Sequence, residues 1–431
     1  MLLHDLDEDV LGIVVSLLSS DRKDVVNLAL TCHALCAAAR RPEHVSITSP
    51  STRLALTRSC IEDPTFGHRA RSLYLKINGK RTISRYTVFE FFRRMPNLQS
   101  LTLDADVKPH FMPVLLSDAL SLRNNLRHLH VTDSTLTVND LWALFALPRL
   151  RYLEISSRRE IAFSSLDPTP DQLFPLRHLR MFDLGSDSYL QPDLLEEILI
   201  HCPKLETLEC NIALPLVTQA PAQGPWLHPF YPRPRHYNSP ERLLTTLLHA
   251  PRTLVNLSLF TNGLNGVVHD GSRLDLSSFV NLTNLTASAD LFIAPVGSNV
   301  ARDGLYRLLP RNIESFTSAN QKSSQLLFGA NTGIFYNVSH RRIDEDTRKR
   351  FLEQGPDESM SRWITEIVEN KEACFPGLRR VELREILKEV ARPHWRAVEE
   401  RWAFEKAGVE LEIWIRDDEK LQPWIPRMHP R

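Results

Sequence analysis

Two histidines set one residue apart, His128 and His130, form the first pair in this sequence whose spacing could do chemistry. In an extended segment, residues i and i+2 face the same side, so both imidazoles would point together. A metal site would need further ligands from neighbouring segments, and polar residues on an open face are the plainer reading. Three acidic pairs, Glu196-Glu197, Glu399-Glu400 and Asp417-Asp418, sit on or beside helical stretches and read as solvated faces. His201-Cys202 stands at a helix end ahead of an apolar motif and reads as cap and core. The six cysteines (Cys32, Cys36, Cys60, Cys202, Cys210 and Cys374) are scattered without a CxxC pair. Neither a disulfide frame nor a zinc knuckle is expected from them, and free thiols in a reducing compartment fit better. No nucleophile elbow, P-loop, HExxH or dinucleotide fingerprint occurs, and glycine is scarce at 15 residues. The expectation is a non-catalytic protein with no metal and no cofactor.

Composition narrows the partners. Lysine plus arginine equals aspartate plus glutamate at 52 each, for a formal net charge of zero. Nucleic-acid binders draw their affinity from phosphate contacts and usually carry a basic excess, so a nucleic-acid partner is not expected. The N-terminal MLLHDLDEDVLGIVVSLL has no basic n-region and is interrupted at once by acids, a poor secretory signal. No run of about 18 apolar residues occurs, so no membrane span is expected. The sequons at Asn256, Asn281, Asn284 and Asn337 then read as chance. A cytoplasmic or nuclear location is the expectation.

At 431 residues, the chain exceeds what one compact core usually supports. It must divide, or stack as a repeat. One short pattern recurs: apolar, two variable residues, apolar, one variable residue, apolar. Its copies are ARSLYL from Ala70, LQSLTL from Leu98, LRHLHV from Leu126, LRYLEI from Leu150 and LRMFDL from Leu179. LETLEC from Leu205, LVNLSL from Leu254 and LTNLTA from Leu282 follow, then the weaker IESFTS from Ile313 and LRRVEL from Leu378. VELEIWI from Val409 is a possible last strand. Most steps between copies run from 24 to 31 residues. Two are wide, from Leu208 to Leu257 and from Phe316 to Val381, and each holds an insertion or an unrecognised repeat.

The alternation has period two, so the apolar residues of each copy share one side of a short strand. One such strand cannot bury that side alone. Stacked in parallel, successive strands share a continuous core. Amphipathic return segments end near proline: SRYTVFEFFRRMP, PDLLEEILIHCP and SPERLLTTLLHAP. In the last of these Ser239 is placed to cap a helix, with Pro240 at its first position. The segment 340–373 should add two helices, RRIDEDTRKRFLEQ and ESMSRWITEIVENK, outside the plain repeat.

Period and pattern together resemble the leucine-rich-repeat family, over roughly residues 69–416. The resemblance implies an α/β solenoid, with a parallel concave sheet and convex helices, and insertions near 213–240 and 320–375. The fullest copy runs from Leu254 to Leu264 and includes the family asparagine at Asn262. Ser134 and Asp290 take that place in other copies, so irregular turns are expected.

Ahead of the repeats, residues 5–40 read as three short helices. Asp7, Glu8 and Asp9 suit a helix N-terminus, where the dipole favours negative charge. Val10, Leu11, Val14, Leu17 and Leu18 share a face. Asp24 can cap a second helix carrying Val25, Val26, Leu28 and Leu30, and Cys32, Leu35 and Cys36 continue into a third. A unit this small buries little by itself, so its surplus apolar surface suggests a partner. The Leu6–Leu18 and Asp24–Leu35 runs resemble the F-box, the module that docks substrate receptors onto the adaptor of SCF-type cullin ubiquitin ligases. Asp7 stands where that family usually carries proline.

The organisation expected is an F-box-like segment at 1–45, a helical linker or cap at 46–68, the solenoid at 69–416 and a tail at 417–431. The resemblance implies a substrate-recognition subunit of such a ligase. Its adaptor-facing set would be Leu6, Val10, Leu11, Val14, Leu17, Leu18, Val26, Leu30 and Leu35, with a cullin reached through the adaptor. A protein target would lie on the variable strand positions: Tyr74, His128, His130, Tyr152, Glu154, Asp183, Glu209 and Phe260. The alternative is a scaffold of the same fold whose N-terminal helices cap the solenoid. The proline-rich stretch 213–240, with Trp226, Phe230 and Tyr231, is either a binding lip or packs back on the repeats.

Overall fold

The computed structural model describes residues 44–47, 58, 66–77, 92–105, 124–134, 138–157, 160–161, 179–184, 189–190, 192–212, 240–261, 272–293, 302–319, 358–387 and 398–417. The F-box-like run 5–40, with its whole adaptor-facing set, lies outside them, as do the stretch 213–239 and the helix expected at 341–354.

The chain forms two compact units. The first comprises residues 1–159 and 164–179, the second 160–163 and 180–431. In the first unit five strands lie parallel in chain order: β1 (His44–Ile47), β2 (Ser72–Ile77), β3 (Ser100–Ala105), β4 (His128–Ser134) and β5 (Tyr152–Ser157). One helix, α1 (Val138–Phe145), sits between β4 and β5. In the second unit β7 (Met181–Leu184), β9 (Thr207–Ile212), β10 (Asn256–Thr261), β11 (Asn284–Ala287), β12 (Ser315–Ala319), β13 (Arg380–Leu387) and β14 (Glu410–Asp417) do the same. Two short strands, β6 (Glu160–Ile161) and β8 (Tyr189–Leu190), pair with each other, and β8 also pairs with β9. Helices α2 (Pro192–His201), α3 (Pro240–Leu247), α4 (Glu358–Glu369), α5 (Lys371–Cys374) and α6 (Val398–Lys406) lie between strands.

Register explains why the leucine pattern works. Leu73 stands beside Leu101, Leu101 beside Leu129, and Leu129 beside Leu153. In the second unit Leu208, Leu257, Leu285, Phe316, Val381 and Leu411 form one such column. Every member of both columns is buried. Each fully buried leucine is worth roughly 1.5–3 kcal/mol, and only the stack makes that burial available. Chain-ordered parallel strands with buried apolar columns are the arrangement of a leucine-rich-repeat solenoid within each unit.

Both wide steps are insertions. Leu208 pairs directly with Leu257, and Phe316 directly with Val381, so no strand stands between them. Helices α4 and α5 fill part of the second insertion. β1 is a strand the leucine pattern did not show. Its alternating Val45 and Ile47 are buried against β2, at the edge of the segment read as a helical linker.

The turns are more regular than the broken family asparagine suggested. Most strands are entered through a turn that begins three residues ahead of the first apolar residue. Leu98 N–H donates to Met95 O, Leu150 to Leu147 O, Leu205 to Cys202 O, and Leu378 to Phe375 O. Pro96, Pro148, Pro203 and Pro376 occupy the second place of these turns, where a fixed φ near −65° costs nothing. The residue just before the first apolar residue of a copy is asparagine four times. Asn97, Asn125, Asn281 and Asn312 each donate through Nδ2 to a carbonyl one repeat back, on His68, Pro96, Arg252 and Val280. A second ladder accompanies it: two consecutive N–H groups share the carbonyl of the preceding repeat. Arg127 and His128 share Gln99 O, and Thr283 and Asn284 share Val255 O. The sequon residues Asn256, Asn281 and Asn284 are thus structural. Asn284 Nδ2 donates to Asn256 Oδ1 at 2.7 Å, and Asn256 Nδ2 to Thr207 Oγ1 at 2.9 Å.

Candidate recognition surface

Between the buried residues of each strand, the variable ones stand on the opposite face of the sheet. In the first unit three rows result. The first holds Ser72, Ser100, His128 and Tyr152; the second Tyr74, Thr102, His130 and Glu154; the third Lys76, Asp104 and Thr132. The strand register therefore brings five of the expected contact residues, Tyr74, His128, His130, Tyr152 and Glu154, onto one face, and all five are open or half-open to solvent.

Asp104 is the hub of this face. Its Oδ2 accepts from Tyr74 Oη at 2.9 Å and pairs with Lys76 Nζ at 3.0 Å, while Oδ1 accepts from Thr132 Oγ1 at 3.1 Å. Burial alone would raise the carboxyl pKa, but the bonds from Lys76, Tyr74 and Thr132 outweigh it and hold it below the ordinary value. The Tyr74 hydroxyl moves up, through burial first and its bond to Asp104 second. One step across, His130 Nδ1 lies 3.3 Å from Glu154 Oε2. The rings of His128 and Tyr152 pack at 4.6 Å between centroids, tilted by 57°. Burial, then the nearby cations of Arg127 and Arg151, keep the His128 imidazole below its usual pKa.

A pH effect follows. A carboxyl whose folded pKa lies below its unfolded value, about 3.9, adds stability above that value and loses it as pH falls through the folded pKa. Asp104→Asn should remove this part of the acid limb, leaving the variant less stable than wild type at pH 7 but flatter as pH falls below about 4. Urea unfolding at stepped pH reads it, and parallel acid limbs would refute it.

In the second unit the corresponding rows run Met181, Thr207, Asn256, Asn284, Ser315, Arg380 and Glu410, then Asp183, Glu209, Ser258, Thr286, Thr317, Glu382 and Glu412. Here two expected contacts need correcting. Asp183 is 4% exposed and Phe260 3%, so neither offers a surface to a partner, although both alternate to the outward side. Alternation fixes the side a residue faces and says nothing of what covers it. Glu209 is half-buried. A charged cluster closes the last strands: Arg380 bonds Glu412 at 2.9 Å and Arg384 bonds Glu382 at 2.6 Å. Trp414 Nε1 donates to Glu412 Oε2 at 3.0 Å, and Trp414 remains 48% exposed. Its bond comes first, and that from Arg380 next among the attractions, in lowering the Glu412 pKa. Glu412 and Trp414 were not among the expected contacts, though the alternation of VELEIWI places them outward.

The other reactive residues fall into structural roles. Cys202 and Cys210 are buried, and burial pushes the Cys202 thiol up to about 12, far from a reactive thiolate. Glu196 bridges Arg242 and His249 between α2 and α3. Glu399 is exposed as expected, whereas Glu400 is buried. Among the described residues no three His, Cys, Asp or Glu converge as a metal site, and no helix is long and apolar enough to cross a membrane.

No protein-family model matches the chain, and no curated protein matches it in sequence. Solved structures do match it, among them the following three. The leucine-rich-repeat-containing protein LegL7 from Legionella pneumophila is 13% identical, with a TM-score of 0.35 over 87% of this chain and 91% of its own. An internalin, inlF, from Listeria monocytogenes is 17% identical, with a TM-score of 0.28 over 59% of this chain and 70% of its own. TLR13, solved with ssRNA13, is 12% identical, with a TM-score of 0.35 over 89% of this chain and 47% of its own. These overlaps are loose, and the fold rests on the strand order and register described above.

Proposed function

We propose that this protein is a substrate-recognition subunit of an SCF-type cullin ubiquitin ligase, binding the adaptor through its N-terminal helices and a target protein through the repeats. The target-binding half is carried by one observation: the register that gathers Tyr74, His128, His130, Tyr152 and Glu154 on a single open face. Aromatic rings interleaved with both signs of charge suit protein recognition. The adaptor half rests on the F-box resemblance of Leu6–Leu18 and Asp24–Leu35. In this reading the chain does no chemistry. Holding a target near the charged conjugating enzyme converts an encounter into a local reaction, and that raises the rate of transfer.

Co-purification with the ligase adaptor tests the proposal. Wild type should retain the adaptor, and Val14→Asp with Leu18→Asp should lose it, since two charges would have to be desolvated in an apolar contact. No adaptor on wild type removes the ligase reading and leaves the scaffold, with the N-terminal helices as a cap.

A further inference from the structure

The entrance to the strands of the first unit carries a row of arginines that nothing in the ligase reading uses. The residue after the first apolar position is Arg71 ahead of β2, Arg127 ahead of β4 and Arg151 ahead of β5; Gln99 holds the place ahead of β3. Their backbones are locked to one another, because the carbonyls of Arg71, Gln99 and Arg127 accept the paired N–H groups of the following repeat. The places of these side chains along the rim are therefore fixed by the ladder. Arg71 and Arg151 are exposed and Arg127 is half-exposed. Arg149, two residues before Arg151, is exposed as well and reaches Asn125 Oδ1 at 3.4 Å.

No carboxylate stands against this row among the described residues. The acids on the face below are committed elsewhere: Asp104 to Lys76, Tyr74 and Thr132, and Glu154 to His130. The charges are felt locally, since Arg127 and Arg151 both act on His128. Beside them lies the tilted His128–Tyr152 ring pair, with Tyr152 38% exposed.

We infer that this rim is a docking site for an acidic segment of a target protein, laid across the strand entrances with its carboxylates on Arg71, Arg127, Arg149 and Arg151. Spacing supports a peptide. Neighbouring strands are about 4.8 Å apart, so Arg71 to Arg151 spans about 14 Å over three steps. An extended chain rises about 3.3 Å per residue and covers that distance with four or five residues. Guanidinium forks match carboxylates in a planar, two-bond geometry that lysine lacks. The ring pair offers a stacking surface at one end. The inference deepens the target-binding half of the proposed function and is independent of the adaptor half.

Fluorescence anisotropy with the full chain tests it. The probe is a labelled ten-residue peptide alternating Glu and Ser; the comparisons are the same peptide with Gln for Glu, and a ten-nucleotide oligouridine. The Glu peptide should bind and weaken steeply with salt, and the Gln peptide should not bind. Arg127→Ala with Arg151→Ala should weaken the Glu peptide about tenfold, two exposed charge pairs being lost. Both arginines are on the surface, so an unchanged urea midpoint will confirm that the variant is folded. Glu and Gln peptides binding alike, an unchanged affinity in the double variant, or oligouridine binding tighter than the Glu peptide would each overturn the inference. The adaptor co-purification is a separate reading, so a failure here leaves the ligase proposal standing and a failure there leaves this one.

Discussion

Gly67→Ala should destabilise the first unit by at least about 1–3 kcal/mol, the usual range for overpacking a filled site. Gly67 is buried in the short 3-10 helix Phe66–Arg69 that leads into β2. A Cβ placed there would run into the carbonyl oxygen of Arg94, with the Arg94 carbonyl carbon at 2.9 Å and Met95 Cγ at 3.2 Å. Backbone is the obstacle, so no side-chain rotation relieves it. That carbonyl lies one residue ahead of the turn that opens the next repeat, where Met95 O accepts from Leu98 N–H. One methyl group would thus press two neighbouring repeats apart. Gly377→Ala is the matched control. A Cβ there meets only Ile313 O at 3.8 Å and Glu314 Cγ at 4.0 Å, ordinary contact distances. The control should be neutral, or stabilising by up to about 1 kcal/mol through a less flexible unfolded chain. Urea midpoints followed by circular dichroism compare the two, and equal midpoints would refute the steric account.

Trp363→Ala should cost about 3–5 kcal/mol in the second unit, as expected for emptying a large aromatic site. Trp363 lies on α4, is 1% exposed, and heads the fully buried side chains by volume. Its helix is anchored to the rest of the unit through Glu366, whose Oε2 accepts the Gly304 N–H at 2.7 Å. Gly304 has φ +75, a left-handed conformation that favours glycine. Tryptophan also carries a cost here. Its Nε1 is buried and has no partner among the described residues, and an unpaired buried donor costs about 1–3 kcal/mol. Trp363→Phe should therefore lose far less than Trp363→Ala, because the smaller ring leaves a void but removes the orphan N–H. The order alanine well below phenylalanine, with phenylalanine close to wild type, is the signature. Phenylalanine as damaging as alanine would show that the indole nitrogen is satisfied.

Much of this architecture was legible because its cause is periodic. Each L-x-x-L-x-L copy names a strand, and every copy singled out in the sequence is one, including the weak IESFTS and VELEIWI. β1 escaped because Val45 and Ile47 form a short alternation without the leading leucine. The turn ladder escaped for a different reason. The family asparagine follows the strand, whereas Asn97, Asn125, Asn281 and Asn312 stand just before the first apolar residue of their copies and bond the previous repeat. Among the expected contacts, alternation put Tyr74, His128, His130, Tyr152 and Glu154 on the outward face, where the register gathers them. It could not foresee the burial of Asp183 and Phe260, since coverage is a tertiary property that a two-residue period does not encode.

The direct pairing of Leu208 with Leu257 and of Phe316 with Val381 has one more consequence. Rung spacing in this stack is set by hydrogen bonds between adjacent strands, not by how much polypeptide is spent travelling from one to the next. A connecting loop can therefore grow, shrink or diverge in composition while the outward side chains on either side keep their separation. Novelty can be added at the returns without disturbing the alignment that recognition needs.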